Sequence, residues 1–198
     1  MRRNTTAVVA IAVLLTAAPA LFSQAKTVTV DAVPAAMENL LAIRDRIAVT
    51  PEGGAVVFLL SMIMYGGDRE LGLQAFTLAL DMHELSAGTV YKGYQPKRDW
   101  IDRFAQIDLF PFLGNIYVNG TKAADGYALP AGSPAFTVTE VRLQKDGTAK
   151  VFVATTSGNM PRPLTLAKND KGIWKVTEAS SMFVGPSALP PVKETDDL

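Results

Sequence analysis

The sequence predicts an α+β domain in which an N-terminal helical layer of about four helices packs on a C-terminal twisted antiparallel β-meander of about five strands. Three observations carry this. Apolar residues recur at helical spacing through the first half of the chain, and from about residue 115 they alternate with period two. Two tight-turn sequences, Asp146-Gly147 and Asn169-Asp170-Lys171-Gly172, divide the alternating half into paired segments.

Taken in order, residues 1–25 have the pattern of a secretory signal peptide: Arg2 and Arg3, an apolar run over residues 7–22, then Ser23-Gln24-Ala25 with small residues at both cleavage-site positions. Cleavage after Ala25 is expected, with residues 26–33 left as a linker and no stable membrane insertion afterwards. Over residues 34–49, Met37, Leu40, Leu41, Ile43 and Ile47 repeat at helical spacing while Glu38, Arg44, Asp45 and Arg46 fall mostly on the other side. That pattern predicts an amphipathic surface helix. Thr50-Pro51-Glu52 offers an N-cap, a first-turn proline and a first-turn acid for a second helix. Its residues 55–64 are apolar on every face, which marks a buried helix too short to span a bilayer.

Tyr65-Gly66-Gly67 is expected to stop the second helix, and Asp68 to cap a third that runs to about Met82. Leu71, Ala75 and Leu78 form one stripe of that helix and Leu73, Phe76 and Leu80 an adjoining one, so it should pack on two sides. After a turn-rich stretch over residues 86–96, a short fourth helix presents Trp100, Ile101, Phe104 and Ile107 on one face, with Asp99 and Arg103 paired four apart outside.

In the second half, residues 136–143 and 149–155 alternate around Asp146-Gly147 and predict one hairpin. Residues 163–168 and 173–179 predict another through Asn169 to Gly172. A shorter strand near Ile116-Tyr117-Val118 is expected to join them. The domain is thus read as residues 34–186, helical over 34–113 and sheet over 114–186, followed by a frayed tail over 187–198 that lacks apolar anchors.

Composition narrows the function classes. Basic and acidic side chains number 19 each, and loss of Arg2 and Arg3 with the signal peptide would leave a slightly acidic chain. Such a chain has no electrostatic footprint for nucleic acid. The absence of cysteine excludes disulfides, thiolate metal sites, a cysteine nucleophile and lipid attachment at cysteine. An exported protein without disulfides fits a bacterial envelope, periplasmic or extracellular.

No residue has a catalytic or metal-binding signature, and no cofactor is implied. His83 is the only histidine, placed as a cap just past the third helix, and no second histidine at ligand spacing accompanies Asp81 and Glu84. Asp99 with Asp102, and Asp81 with Glu84, are carboxylates three apart whose ordinary explanation is solvated surface charge. The two turn sequences lack the alternating ligands and closing glutamate of a calcium loop, and Gly53-Gly54 lacks the lysine of a phosphate cradle. Four residues remain as candidate ligand contacts. Tyr91 and Tyr94 stand among Lys92, Lys97 and Arg98, a composition suited to a sugar, phosphate or carboxylate. Arg162 is held between Pro161 and Pro163 at a strand entry, either facing an anion or packing over an aromatic ring such as Trp174. Tyr91, Tyr94, Arg98 and Arg162 are therefore expected to border one surface depression.

Five segments carry a broader resemblance: residues 90–96 (Val-Tyr-Lys-Gly-Tyr-Gln-Pro), 126–130 (Gly-Tyr-Ala-Leu-Pro), 161–166 (Pro-Arg-Pro-Leu-Thr-Leu), 172–176 (Gly-Ile-Trp-Lys-Val), and Ser180-Ser181. Together they resemble an uncharacterised, domain-of-unknown-function family of bacterial, often exported proteins, over roughly residues 43–185. The resemblance implies an α+β fold and no assigned activity. The reading that follows is an exported, non-enzymatic binding or assembly module of the cell envelope with an unidentified ligand or protein partner. The alternatives are a small hydrolase acting on envelope polymers through a carboxylate site, and a folding accessory with a helical client surface.

Overall fold

The computed structural model describes residues 25–158 and 160–191, so the expected signal peptide, apart from Ala25, lies outside the described residues. Among these described residues four helices, α1 (Met37–Ile47), α2 (Pro51–Gly67), α3 (Arg69–Ala79) and α4 (Arg98–Leu109), pack on one five-stranded antiparallel sheet. Its strands are β1 (Lys26–Thr29), β4 (Ala135–Leu143), β5 (Ala149–Val153), β6 (Arg162–Lys168) and β7 (Trp174–Glu178), in the order β1-β4-β5-β6-β7. A two-stranded sheet, β2 (Leu85–Tyr91) with β3 (Tyr94–Pro96), is inserted between α3 and α4.

The helix starts follow local chemistry. Thr50 Oγ1 accepts from the Gly53 amide at 3.2 Å with Pro51 in the first turn of α2, and the Asp68 carboxylate accepts from the Leu71 amide at 3.0 Å to open α3. Tyr65-Gly66-Gly67 does not stop α2, which runs through Gly67. Gly66 serves close approach instead: a β-carbon there would lie 2.0 Å from the Pro111 carbonyl oxygen. α3 in turn ends at Ala79, before the expected Met82, because Leu80 leaves the helix to bridge Val176 on the edge of β7.

α2 is the centre of the molecule, buried from Gly53 to Tyr65. Phe58 meets Phe76, Trp100 and Phe183 edge-on, and Phe76 stacks on Phe104 with centroids 4.0 Å apart. One aromatic cluster thus joins three helices to the turn Ser180–Phe183 that follows the last strand. Among the described residues no helix is long and apolar enough to cross a membrane.

Both expected hairpins are present. β4 and β5 pair around Asp146, whose carboxylate accepts from the Thr148 amide at 3.0 Å, with Gly147 at φ +86°. β6 and β7 pair around Asn169, whose side-chain oxygen accepts from the amides of Lys171 and Ile173. Four further segments depart from expectation. The supposed linker contributes β1, a Thr-Val-Thr run of strong strand propensity that pairs with β4. Residues 116–118 are not a strand: Ile116 and Tyr117 lie within a 3₁₀ turn, Asn115–Tyr117, and Val118 after it makes a single bridge to Phe136. The Thr121 hydroxyl, 3.0 Å from the Asn115 and Val118 carbonyls, occupies groups a strand would have paired. The turn-rich stretch over residues 86–96 is the β2–β3 hairpin, turned by Lys92 and Gly93 at φ +51° and +87°. Nor is the tail frayed from its start, since the Ala188 carbonyl accepts from the buried Tyr127 hydroxyl at 2.6 Å.

Candidate ligand-binding site

A depression of about 410 Å³ opens where four parts of the chain converge: the end of α1, the last turn of α3, the β2–β3 hairpin and the β6–β7 turn. Its cations are Arg44, Lys92, Lys171 and Lys175, its aromatic rings are Tyr91 and Tyr94, and no carboxylate is among its lining residues. Each element delivers its side chain for a local reason. Period-two alternation on β7 turns Lys175 away from the buried pair Trp174 and Val176. The two left-handed residues at the β2–β3 turn bring Tyr91 opposite Tyr94 and leave Lys92 at the tip, its ammonium 5.2 Å from the Tyr91 ring centroid. The Asn169 side chain shapes the turn that carries Lys171.

Lys175 is partly buried. Its ammonium donates to the carbonyl oxygens of Leu78 and Leu80, which end α3, so a cation from a neighbouring strand caps that helix. Burial, with Arg44 nearby, pushes its pKa from the usual 10.5 down to about 8, against the opposing pull of Asp81. Arg44 itself is held by two hydrogen bonds to Asp45 Oδ1.

Of the four expected contacts, the structure brings Tyr91 and Tyr94 together and leaves Arg98 and Arg162 out of the lining. Arg98 has its side chain 85% exposed and donates to Asp102 at 2.8 Å. Arg162 is only 6% exposed. It donates to the Tyr117 hydroxyl at 3.1 Å, to the Val184 carbonyl, and to the Gly185 carbonyl at 3.0 Å. It lies at the opposite end of β6 from the Asn169 turn, roughly 20 Å away at strand rise. Its aromatic neighbour is Tyr117, not Trp174, which has Lys168 over its ring. Prolines on both sides therefore set this arginine into the core, where it clamps the C-terminal segment. Arg44, Lys171 and Lys175 were missed. An isolated lysine in an alternating strand and a lysine in a turn were the only local signals, and nothing local joins Arg44 to them.

The other polar candidates have structural partners. His83 does not cap α3: its side chain is 93% exposed and its Nδ1 lies 2.8 Å from Asp81 Oδ1, which also accepts the His83 amide. Glu84 accepts from the Trp100 indole at 2.9 Å, and Arg103 pairs with Glu178 at 3.6 Å rather than with Asp99. The carboxyls of Glu140, Asp146 and Glu178 are held below the usual range by hydrogen bonds from Arg142, Thr148 and Ser180, the opposite of what a general acid needs. Among the described residues no three of His, Asp or Glu gather as a metal site. A larger concavity of about 600 Å³, between α2 and the Pro111–Phe112 segment, is lined mainly by apolar residues such as Ile63, Met64, Leu71 and Leu129.

Residues 32–189 match the family described as Domain of unknown function (DUF6935). The chain belongs to this family. The match spans α1 to β7 and the segment clamped by Arg162, so the depression lies wholly inside the DUF6935 domain while β1 precedes it. No curated protein and no solved structure matches the chain.

Proposed function

We propose that this chain is an exported, non-enzymatic binding or assembly module of the cell envelope that holds an anionic ligand in the depression around Tyr91 and Tyr94. One observation carries the reading: four cations and two tyrosines, delivered by separate elements, meet at one concavity whose lining has no carboxylate. Its volume falls within the range of small-molecule sites. The two expressed halves of the proposal are tested apart. Intact mass of the protein recovered from the envelope or medium should correspond to cleavage after Ala25, and an unprocessed cytoplasmic chain would remove the export half. Binding to isolated envelope fractions should fall when Lys92 and Lys171 are both changed to Gln, with melting retained. Unchanged binding in that variant would remove the site.

A further inference from the structure

We infer that the anionic ligand is amphipathic, an acyl or aryl body ending in a phosphate or carboxylate, with the body on Met82, Leu85, Tyr94 and Ile173 and the charge toward Lys92, Lys171 and Lys175. The inference rests on the proposed anion site and specifies its occupant. Met82 is 55% exposed and Tyr94 41%, so two of the large apolar side chains that the fold leaves in solvent stand at the rim of this one depression. Leu78, Leu85 and Ile173 continue the apolar surface inward. A ligand that were only charge would leave this surface wet, whereas covering it adds the larger, non-directional part of the affinity.

A polyhydroxylated anion fits less well. Apart from the two tyrosine hydroxyls, the neutral polar side chains of the lining are Thr77, whose hydroxyl donates to the Leu73 carbonyl at 2.8 Å, and Asn169, whose side-chain oxygen accepts from the amides of its own turn. Sugar hydroxyls would find few partners there, and desolvating them without partners is costly. The Tyr91 ring, the natural stacking platform, has the Lys92 ammonium over it. Cations at the hairpin tip, the β6–β7 turn and β7 instead suit one compact anionic head.

The test compares three monomeric probes on the purified protein by calorimetry: octyl phosphate, inorganic phosphate and octyl glucoside, all below micelle concentration. Octyl phosphate should bind at least about tenfold tighter than either of the others, a gain that fewer than two buried methylenes supply over inorganic phosphate and that the charged head supplies over octyl glucoside. Met82→Ser with Tyr94→Ser should remove that advantage, and Lys171→Gln should weaken both phosphates, with melting unchanged in each. Equal affinity for octyl phosphate and inorganic phosphate would overturn the amphipathic ligand and keep the anion site. Equal affinity for octyl phosphate and octyl glucoside, or no binding of either phosphate, would overturn both. Phosphatidylglycerol vesicles distinguish the source of the head group. Competition between vesicles and octyl phosphate supports a lipid source, and tight octyl phosphate binding without vesicle binding supports a free amphiphile. Vesicle binding without octyl phosphate binding overturns the inference.

Discussion

Lys175 shows how one side chain can be ordinary in sequence and decisive in place. The residue caps α3 from a neighbouring strand, which leaves its ammonium desolvated and beside Arg44. In the unfolded chain it keeps its proton to the usual 10.5, in the folded chain only to about 8. Between these values the unfolded state binds more protons, so stability rises with pH across that window. Below about 8 both states are charged and the cost of burial is present in full. The rise should amount to about 3 kcal/mol, and melting temperature should climb from about pH 8 toward 10 in the native protein but stay flat in Lys175→Met. Identical pH slopes in the two proteins would show that Lys175 is not strained by burial. Tyr117 acts oppositely and at higher pH: burial raises its pKa from 10.0 to about 12, so the stability present below 10 is lost as pH rises toward 12. At this scale Tyr91 and Tyr94 were legible because aromatic rings among cations in a turn-rich segment are a local pattern. Arg162 was not, since flanking prolines look the same whether they present a side chain or bury it.

Among the elements, α2 is the most completely determined by its residues. A threonine cap, a first-turn proline and an uninterrupted apolar run specify both its start and its burial. Phe58 sits at its centre with no exposed surface. Phe58→Asp should therefore abolish cooperative folding by placing an unpaired charge within the aromatic cluster, a loss above about 4 kcal/mol. Phe58→Leu should remain folded with a lowered melting temperature. Thermal unfolding and solubility of the two variants check this, and a soluble Asp variant melting like the native protein would put that face outside the core. The glycines after it show the opposite lesson. Gly66 resembles a stop signal, yet its lack of a β-carbon is used by Pro111, more than forty residues away in sequence. The β2–β3 hairpin escaped notice for a related reason: Lys92-Gly93 forms its turn with Lys92 at positive φ, where asparagine or aspartate would have announced it.

Across the whole molecule, the C-terminal segment closes the core rather than trailing from it. Phe183 enters the aromatic cluster, the Tyr117 hydroxyl donates to the Met182 carbonyl at 2.9 Å, Ser181 Oγ donates to the Pro163 carbonyl at 2.6 Å, and Arg162 holds the carbonyls of Val184 and Gly185. Two segments that suggested the family from sequence, residues 161–166 and Ser180-Ser181, therefore meet as one clamp. Arg162→Ala should lower stability by about 2–4 kcal/mol by leaving those acceptors without a donor. Arg162→Lys should not restore it, because a single ammonium cannot reproduce the planar fork. Hydrogen exchange across residues 182–185 should rise in both variants, while anion binding at the distant depression persists. Lost binding with melting and exchange unchanged would return Arg162 to the site.

The succession of four helices, the Thr50 and Asp68 caps and the β4–β5 and β6–β7 hairpins were determined by sequence alone. Each depends on periodicity and turn chemistry within a dozen residues, where side chain and backbone settle the outcome locally. Tertiary structure decided what lies far apart in the chain: β1 on the edge of β4, Leu80 against Val176, Arg162 inside rather than outside, and Arg44 beside Lys175. These follow from closing long loops over a shared apolar core, and no short window of residues contains that information. The depression belongs to the second group, because its tyrosines were legible as a local cluster and the cations that surround them were assembled only by the fold.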